Sequence, residues 1–266
     1  MTARIVFEGA HLRAAIVGPP PEAATGLMVT FDFRSVGKTD FMPLKTSSNF
    51  AKAGHAQLSI NTRVNDWFIN ADTAAMEAEL PNLTRRYKIV RALGYSMGGF
   101  GAFRFARAVG ANVVVGVAPQ LSIHPDVVPF EWRYKDEAQG FDPDLGDIAS
   151  RVPRDLSGLI IFDPFVRPDR RHAERFRALL PGLRFARLGF GGHPPTRVLG
   201  HAKRSGLVLK AATADPPSPK PILNAHRAGR RADPGYWTRL AKWAERGHPQ
   251  WAEHALAEAA RLTPEP

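Results

Sequence analysis

The chain has 266 residues, of which 44% are hydrophobic and 23% are charged, a length that suits one large α/β domain with or without a small appendage. It has no cysteine, which excludes disulfides, cysteine metal sites and a cysteine nucleophile. The formal net charge of +11 predicts a basic surface, which either attracts an acidic partner or only reflects an arginine-rich composition.

Short apolar runs typical of β-strands alternate with helix-type segments along most of the chain. This alternation predicts an α/β fold, with a mainly parallel sheet flanked by helices. The predicted strands cover residues 4–7 and 12–17 (an opening hairpin), 27–33, 57–61, 89–93, 112–118, 159–162 and 183–188. The predicted helices cover residues 47–53, 73–83, 97–109, 172–180 and 196–212.

Composition divides the chain into three parts. Residues 1–214 form the predicted main domain, and within it residues 119–157 are a long polar insert of the kind that often makes a lid. Residues 215–221 (DPPSPKP) are a proline-rich linker. Residues 222–266 contain a helical hairpin with small apolar residues on one face. We expect the hairpin to pack on the main domain or to offer a docking or homodimer surface.

The strongest chemical motif is Gly94-Tyr95-Ser96-Met97-Gly98, which fits G-x-S-x-G. An apolar strand precedes it and a helical segment follows it, so Ser96 is predicted to lie on a sharp strand-to-helix turn. Side chains at Gly94 and Gly98 would collide across such a turn. The helix that begins at Met97 directs free N–H groups towards a developing oxyanion. The motif therefore predicts that Ser96 is a nucleophile.

With this motif and the order of its strands over residues 1–214, the chain resembles the α/β-hydrolase superfamily. It is most similar to small bacterial members with an Asn-x-Trp-aromatic element after the fourth strand, here residues 65–68, and Pro-Gln after the sixth, here Pro119 and Gln120. Such members are mostly of unassigned substrate. The resemblance implies the fold and a serine mechanism, but it does not define specificity.

A serine nucleophile needs a base and an acid, which in this fold follow it in the order acid, then histidine. Asp163 ends the predicted strand at 159–162, and His193 lies in a glycine-rich loop after the last strand. We predict that His193 is the base and Asp163 the acid that aligns it. Other candidates for the acid are Asp169 and the cluster Asp142, Asp144 and Asp147, and His172 and His201 are among the other candidates for the base.

The oxyanion hole is expected to combine the Met97 amide with an amide after the third strand, that of Phe33 or Arg34. The predicted substrate-binding residues are Tyr95, Asn65, Trp67, Phe68 and Trp132. Asn65, Trp67 and Phe68 follow the C-terminal end of a strand, where open α/β sheets bind ligands, although they could equally form a structural corner. Trp132 would face the pocket if the insert is a lid.

These residues predict a serine hydrolase that cleaves an acyl ester or thioester, carried by a small molecule or a polymer, through an acyl-enzyme. Acyl transfer to an acceptor other than water remains open. No cofactor or metal is expected, because the acidic cluster lacks the glutamate that a calcium loop requires. The alternative function is a non-catalytic module that docks onto an acidic partner.

The remaining sequence features concern partners and location. The basic residues are scattered and not interleaved with aromatic residues, which argues against a nucleic-acid partner. No apolar run approaches the roughly 18 residues of a membrane span. The first 21 residues lack the pattern of a secretory signal, so we expect a cytoplasmic protein.

Overall fold

The computed structural model describes residues 3–44 and 46–263. Its strands are β1 (Arg4–Glu8), β2 (Leu12–Val17), β3 (Gly26–Phe31), β4 (His55–Thr62), β5 (Val90–Tyr95), β6 (Val113–Val117), β7 (Ser157–Phe162) and β8 (Leu183–Arg187). They form one sheet in the order β1-β2-β4-β3-β5-β6-β7-β8. Strand β2 pairs antiparallel with β1 and β4, and all other neighbours are parallel. The predicted α/β fold with a mainly parallel sheet is confirmed.

Helices connect and cover these strands. They are α1 (Ser48–Lys52), α2 (Thr73–Thr84), α3 (Met97–Arg104), α4 (Lys135–Ala138), α5 (Arg167–Leu179), α6 (Arg197–His201), α7 (Gly206–Ala212), α8 (Lys220–Gly229), α9 (Pro234–Ala244) and α10 (Pro249–Leu262). None of the helices in the described part of the chain is both long and apolar enough to cross a membrane.

Two apolar clusters, one on each face of the sheet, form the core. The central strand β6 (VVVGV) is buried throughout, as expected for a parallel strand covered on both sides. Helix α3 (MGGFGAFR) is also buried at every position, because its glycines allow close approach to the end of β3 and to Pro119 after β6. The sheet and α3 together give the loops at the carboxyl ends of the parallel strands a rigid base.

The helices differ from the sequence prediction in several places. Helix α3 ends at Arg104 rather than at 109, and α4 was not predicted. Helix α5 begins at Arg167 rather than at 172, with Pro168 in its first turn, so Asp169 belongs to the helix. The predicted helix 196–212 is two helices, separated at Lys203, whose φ is +54°. Helix α8 begins inside the predicted proline-rich linker and was not predicted.

The predicted insert folds against the body of the protein. Arg104 of α3 donates from Nε to the Leu145 carbonyl at 2.7 Å, and Arg107 donates to the Val152 carbonyl at 3.2 Å. The side chains of Tyr134 and Phe141 are buried. This segment therefore supplies one wall of the region above Ser96.

Candidate active site

Ser96 lies between the end of β5 and the start of α3, with backbone angles φ +51° and ψ −118°. Gly94 and Gly98, on either side of this turn, have no room for a side chain. A Cβ at Gly94 would overlap the Gly98 backbone, and a Cβ at Gly98 would lie 2.5 Å from the Asp32 carbonyl oxygen. The turn predicted from the sequence is therefore present, and it brings the loop after β3 close to the start of α3.

Hydrogen bonds join Ser96, His193 and Asp169 in a line. His193 Nε2 lies 2.9 Å from Ser96 Oγ, and His193 Nδ1 lies 2.8 Å from Asp169 Oδ2. A carboxylate can only accept, so Nδ1 carries the proton towards Asp169. In the neutral ring Nε2 is then free to accept the Ser96 hydroxyl proton. The structure thus brings the predicted nucleophile and the predicted base together.

The structure does not bring Asp163 to the histidine ring. Its carboxylate accepts backbone N–H bonds from Phe165, Phe190 and Gly192, at 2.9, 3.2 and 2.8 Å. Burial raises the pKa of Asp163, although these backbone bonds act to lower it. The expectation that Asp163 aligns the imidazole needs correction, because the early start of α5 places Asp169 there instead. Asp163 orders the loop that carries His193.

Asp169 also belongs to a buried ionic network that the sequence did not reveal. Arg133 donates to Asp169 Oδ1 at 2.8 Å and pairs through two nitrogens with Glu131, at 2.8 and 2.5 Å. Burial alone would raise the pKa of Glu131, but hydrogen bonds from Arg133 and His172 lower it to about 2. Arg133 therefore bridges two buried carboxylates and fixes the position of Asp169.

The buried His172 has a structural role in this network. Its Nδ1 accepts the Leu121 N–H at 3.1 Å, so its Nε2 donates to Glu131 at 3.0 Å. Burial lowers the pKa of His172, despite the attraction of Glu131. A neutral ring held at both nitrogens supports Glu131 and is not available as a base for Ser96.

Two further side chains approach the nucleophile. The Tyr134 hydroxyl lies 3.5 Å from Ser96 Oγ and 3.4 Å from His193 Nε2. Gln120 Nε2 lies 3.5 Å from Ser96 Oγ, and its Oε1 accepts the Trp67 indole N–H at 3.1 Å. Trp67 also packs against the Tyr134 ring, with centroids 4.7 Å apart. Trp67 was predicted as a substrate-binding residue, whereas Gln120 was missed, although its Pro-Gln element was a signal that could have found it.

The predicted substrate-binding residues separate into two groups. Trp67 and Phe68 are completely buried, so they position neighbours and do not present a face to a ligand. Asn65 holds the loop after β3 through both backbone groups of Ser35, at 3.1 and 2.7 Å. These three residues form a structural corner. By contrast, Tyr95 lines a cavity and Trp132 is 66% exposed.

The residues of the predicted oxyanion hole lie at the start of α3 and in the loop after β3. Met97 is the first residue of α3, so its N–H has no carbonyl partner within the helix. Phe33 and Arg34 follow β3, in the loop that passes close to Gly98. The Arg34 side chain is turned towards the insert, where its Nε donates to Glu137 at 2.6 Å.

The C-terminal helices hold the loop that carries His193. His226 of α8 donates from Nε2 to the Gly189 carbonyl at 3.1 Å, and Arg239 of α9 donates from Nε to the Phe190 carbonyl at 2.6 Å. The rings of Tyr236 and Trp243 pack around the Phe190 ring, with centroids 5.8 Å away in each case. The loop is therefore fixed by Asp163 through its N–H groups and by the C-terminal helices through its carbonyls.

The acidic cluster in the insert closes turns. Asp142 accepts the N–H groups of Asp144 and Leu145, and Asp147 accepts those of Ala149 and Ser150. Among residues 3–44 and 46–263, no group of three or more histidine or acidic side chains is arranged to hold a metal ion.

Comparison with known proteins identifies the fold. No protein-family model and no curated protein sequence matches the chain significantly. A putative thioesterase from Silicibacter sp. TM1040 is similar in structure, with a TM-score of 0.53, 13% identity and coverage of 80% of this chain and 86% of that one. The capsule O-acetyltransferase of Neisseria meningitidis serogroup A has a TM-score of 0.51, 14% identity and coverage of 77% and 93%. The chain has the α/β-hydrolase fold.

The low pKa of Glu131 predicts a pH-dependent contribution to stability. Because the pKa falls from 4.5 to about 2 on folding, ionised Glu131 stabilises the protein above pH 4.5, by about 3 kcal/mol, and this contribution is lost as the pH falls towards 2. Chemical denaturation should show that Glu131→Gln is less stable than wild type near pH 7 and that the gap narrows below pH 4.5. The exposed Glu245→Gln is the control. A gap that does not vary with pH would contradict the prediction.

The hydrogen bond from Arg239 to the loop that carries His193 (residues 189–193) can also be tested. Arg239→Met removes the bond to the Phe190 carbonyl, so the amides of residues 189–193 should exchange with solvent about tenfold faster or more, since one lost charge-assisted bond is worth about 1.5 kcal/mol or more. Hydrogen–deuterium exchange measures this directly. Lys242→Met, at an exposed site on the same helix, should leave the loop unchanged. Equal exchange in both variants would show that Arg239 does not hold the loop.

Proposed function

We propose that the protein is a serine hydrolase that cleaves an acyl ester or thioester through a covalent acyl-enzyme. Ser96 is the nucleophile, His193 the base and Asp169 the acid. The observation that carries the proposal is the line of hydrogen bonds from Asp169 through His193 to Ser96, at 2.8 and 2.9 Å, on a strand-to-helix turn. A serine hydroxyl at such a turn has little structural purpose unless a base activates it.

Acylation follows from the geometry. Ser96 Oγ attacks the acyl carbon while its proton passes to His193 Nε2. Asp169 stabilises the imidazolium that forms, and Arg133 keeps the aspartate in place. The carbonyl oxygen becomes an oxyanion, which the Met97 N–H and one amide of the Phe33–Arg34 loop stabilise. His193 then donates the proton to the leaving alcohol or thiol.

Deacylation repeats these steps with a second nucleophile. His193 takes a proton from water, the hydroxide attacks the acyl-enzyme, and the carboxylic acid leaves as Ser96 regains its proton. The Tyr134 hydroxyl and the Gln120 amide border Ser96 Oγ and can orient the incoming nucleophile. The names of the structural neighbours, a putative thioesterase and an O-acetyltransferase, support acyl chemistry on this fold. An acceptor other than water would make the same acyl-enzyme a transferase intermediate.

A fluorophosphonate probe tests the nucleophile. We expect it to label the wild-type protein at Ser96 and not to label Ser96→Ala, because only an activated serine attacks the phosphorus. Peptide mapping by mass spectrometry identifies the labelled residue. Ser150→Ala, at an exposed serine of the insert, should be labelled like wild type.

The labelling result also separates the two functions. Label that persists in Ser96→Ala would refute the assignment of the nucleophile. A wild-type protein that resists the probe and hydrolyses no ester would favour the non-catalytic module that docks an acidic partner.

The two aspartates should differ in their effects on turnover. Asp169→Asn should lower kcat on an activated acetyl ester by about 10³- to 10⁴-fold, because an amide no longer enforces the required histidine tautomer. Asp163→Asn should lower it by about 10- to 100-fold, because it disturbs the loop but leaves the hydrogen-bonded line in place. Steady-state kinetics of both variants measure this. If Asp163→Asn were the more damaging variant, Asp169 would not be the acid.

A further inference from the structure

A cavity of about 290 Å³ lies at the carboxyl ends of β3, β4 and β5 and takes no part in the acyl chemistry described above. Its apolar walls include Phe31, Phe50 and Leu209. Tyr95, the neighbour of Ser96, and Phe33, from the predicted oxyanion loop, also line it. This volume is at the lower end of the range for small-molecule sites, so it suits a single compact group.

The polar floor of the cavity contains two acceptors without donors. Asp32 Oδ1 and Asn61 Oδ1 are buried, and neither meets a donor at hydrogen-bond geometry within the described residues. The Asp32 side chain is 9% exposed and Asn61 is 5% exposed. A buried acceptor without a donor is unfavourable, so a ligand that brings donors to both atoms removes that cost.

The charge at this site indicates which donors fit. The other carboxylate oxygen of Asp32, Oδ2, pairs with the Lys38 ammonium, whose side chain is completely buried. The charge of Asp32 is therefore already balanced, and a cationic ligand would be placed close to a buried ammonium. Neutral hydroxyl groups supply donors without that repulsion. Aromatic and aliphatic walls suit the carbon skeleton that carries such hydroxyls.

We propose that this cavity binds a neutral, hydroxyl-bearing group of the substrate, such as one sugar residue, whose hydroxyls donate to Asp32 Oδ1 and Asn61 Oδ1. The proposal rests on the proposed function, because it makes the cavity the specificity site for the ester that Ser96 attacks.

Two esters of similar shape test the proposal. Methyl 6-O-acetyl-glucopyranoside carries ring hydroxyls, whereas cyclohexylmethyl acetate has none. We expect wild type to favour the sugar ester in kcat/KM by about tenfold or more, and Asn61→Leu to reduce that ratio by about tenfold, because one acceptor is lost. Asn82→Leu, far from the cavity on α2, should keep the wild-type ratio.

Several outcomes would overturn the proposal. Equal kcat/KM for the two esters in wild type and in Asn61→Leu would show that only water fills the cavity. A preference for the 2-amino analogue of the sugar ester, which carries an ammonium group, would refute the neutral class. An unchanged ratio in Asn61→Leu would refute the site itself.

A binding experiment separates this proposal from the proposed function. If Ser96 resists the fluorophosphonate probe, the catalytic assignment fails, and the cavity is then tested in Ser96→Ala. Saturation-transfer NMR should detect methyl glucopyranoside bound to Ser96→Ala and lose the signal when Asn61→Leu is added. No signal in Ser96→Ala would refute the cavity proposal, whatever the outcome of the labelling.

Discussion

The left-handed backbone at Ser96 determines how the rest of the site is built. A φ of +51° at a non-glycine residue is unfavourable, so the surrounding structure has to hold it. The buried strands β5 and β6 and the fully buried helix α3 do so, with hydrogen in place of a side chain at Gly94 and Gly98. The result is a hydroxyl fixed above the sheet and a helix start beneath it. Tyr134, Gln120 and the loop that carries His193 all approach this one fixed atom, Ser96 Oγ.

Two aspartates only six residues apart are made different by their surroundings. Asp163 is buried and accepts three backbone N–H bonds, which order a loop but supply no countercharge. Asp169 shares Arg133 with Glu131 and so keeps a paired charge next to the histidine. The pairing with Arg133 therefore holds the Asp169 carboxylate in a fixed position beside the His193 ring. The difference between the two aspartates follows from Arg133 and Glu131, which belong to a distant part of the chain and join the network of Asp169.

Sequence reasoning succeeded where the signal is local. Apolar runs such as that of β6 predicted the sheet, and the G-x-S-x-G pattern predicted the turn at Ser96. It failed where long-range contacts decide the outcome. The pattern of residues 167–171 (RPDRR) is strongly polar, so the first turn of α5 was missed and Asp169 remained a second choice. Nothing local showed that Arg133 would pair with Asp169 or that the Tyr134 hydroxyl would lie near Ser96. The aromatic Trp67 was a plausible ligand surface until its complete burial showed otherwise.

The attachment of the C-terminal helices to the histidine loop has a consequence for how the protein matures during synthesis. Ser96 precedes His193 of this loop by 97 residues in sequence, whereas the side chain that holds the Phe190 carbonyl belongs to residue 239. A nascent chain that has emerged only through β8 contains the serine turn and the whole sheet but has neither His193 nor the helices that fix its loop. The hydrogen-bonded line from Asp169 through His193 to Ser96 therefore depends on residues that are synthesised after the whole sheet. For the same reason, an engineered fusion or permutation that separates α8 and α9 from the sheet would displace the His193 ring while the sheet stayed folded.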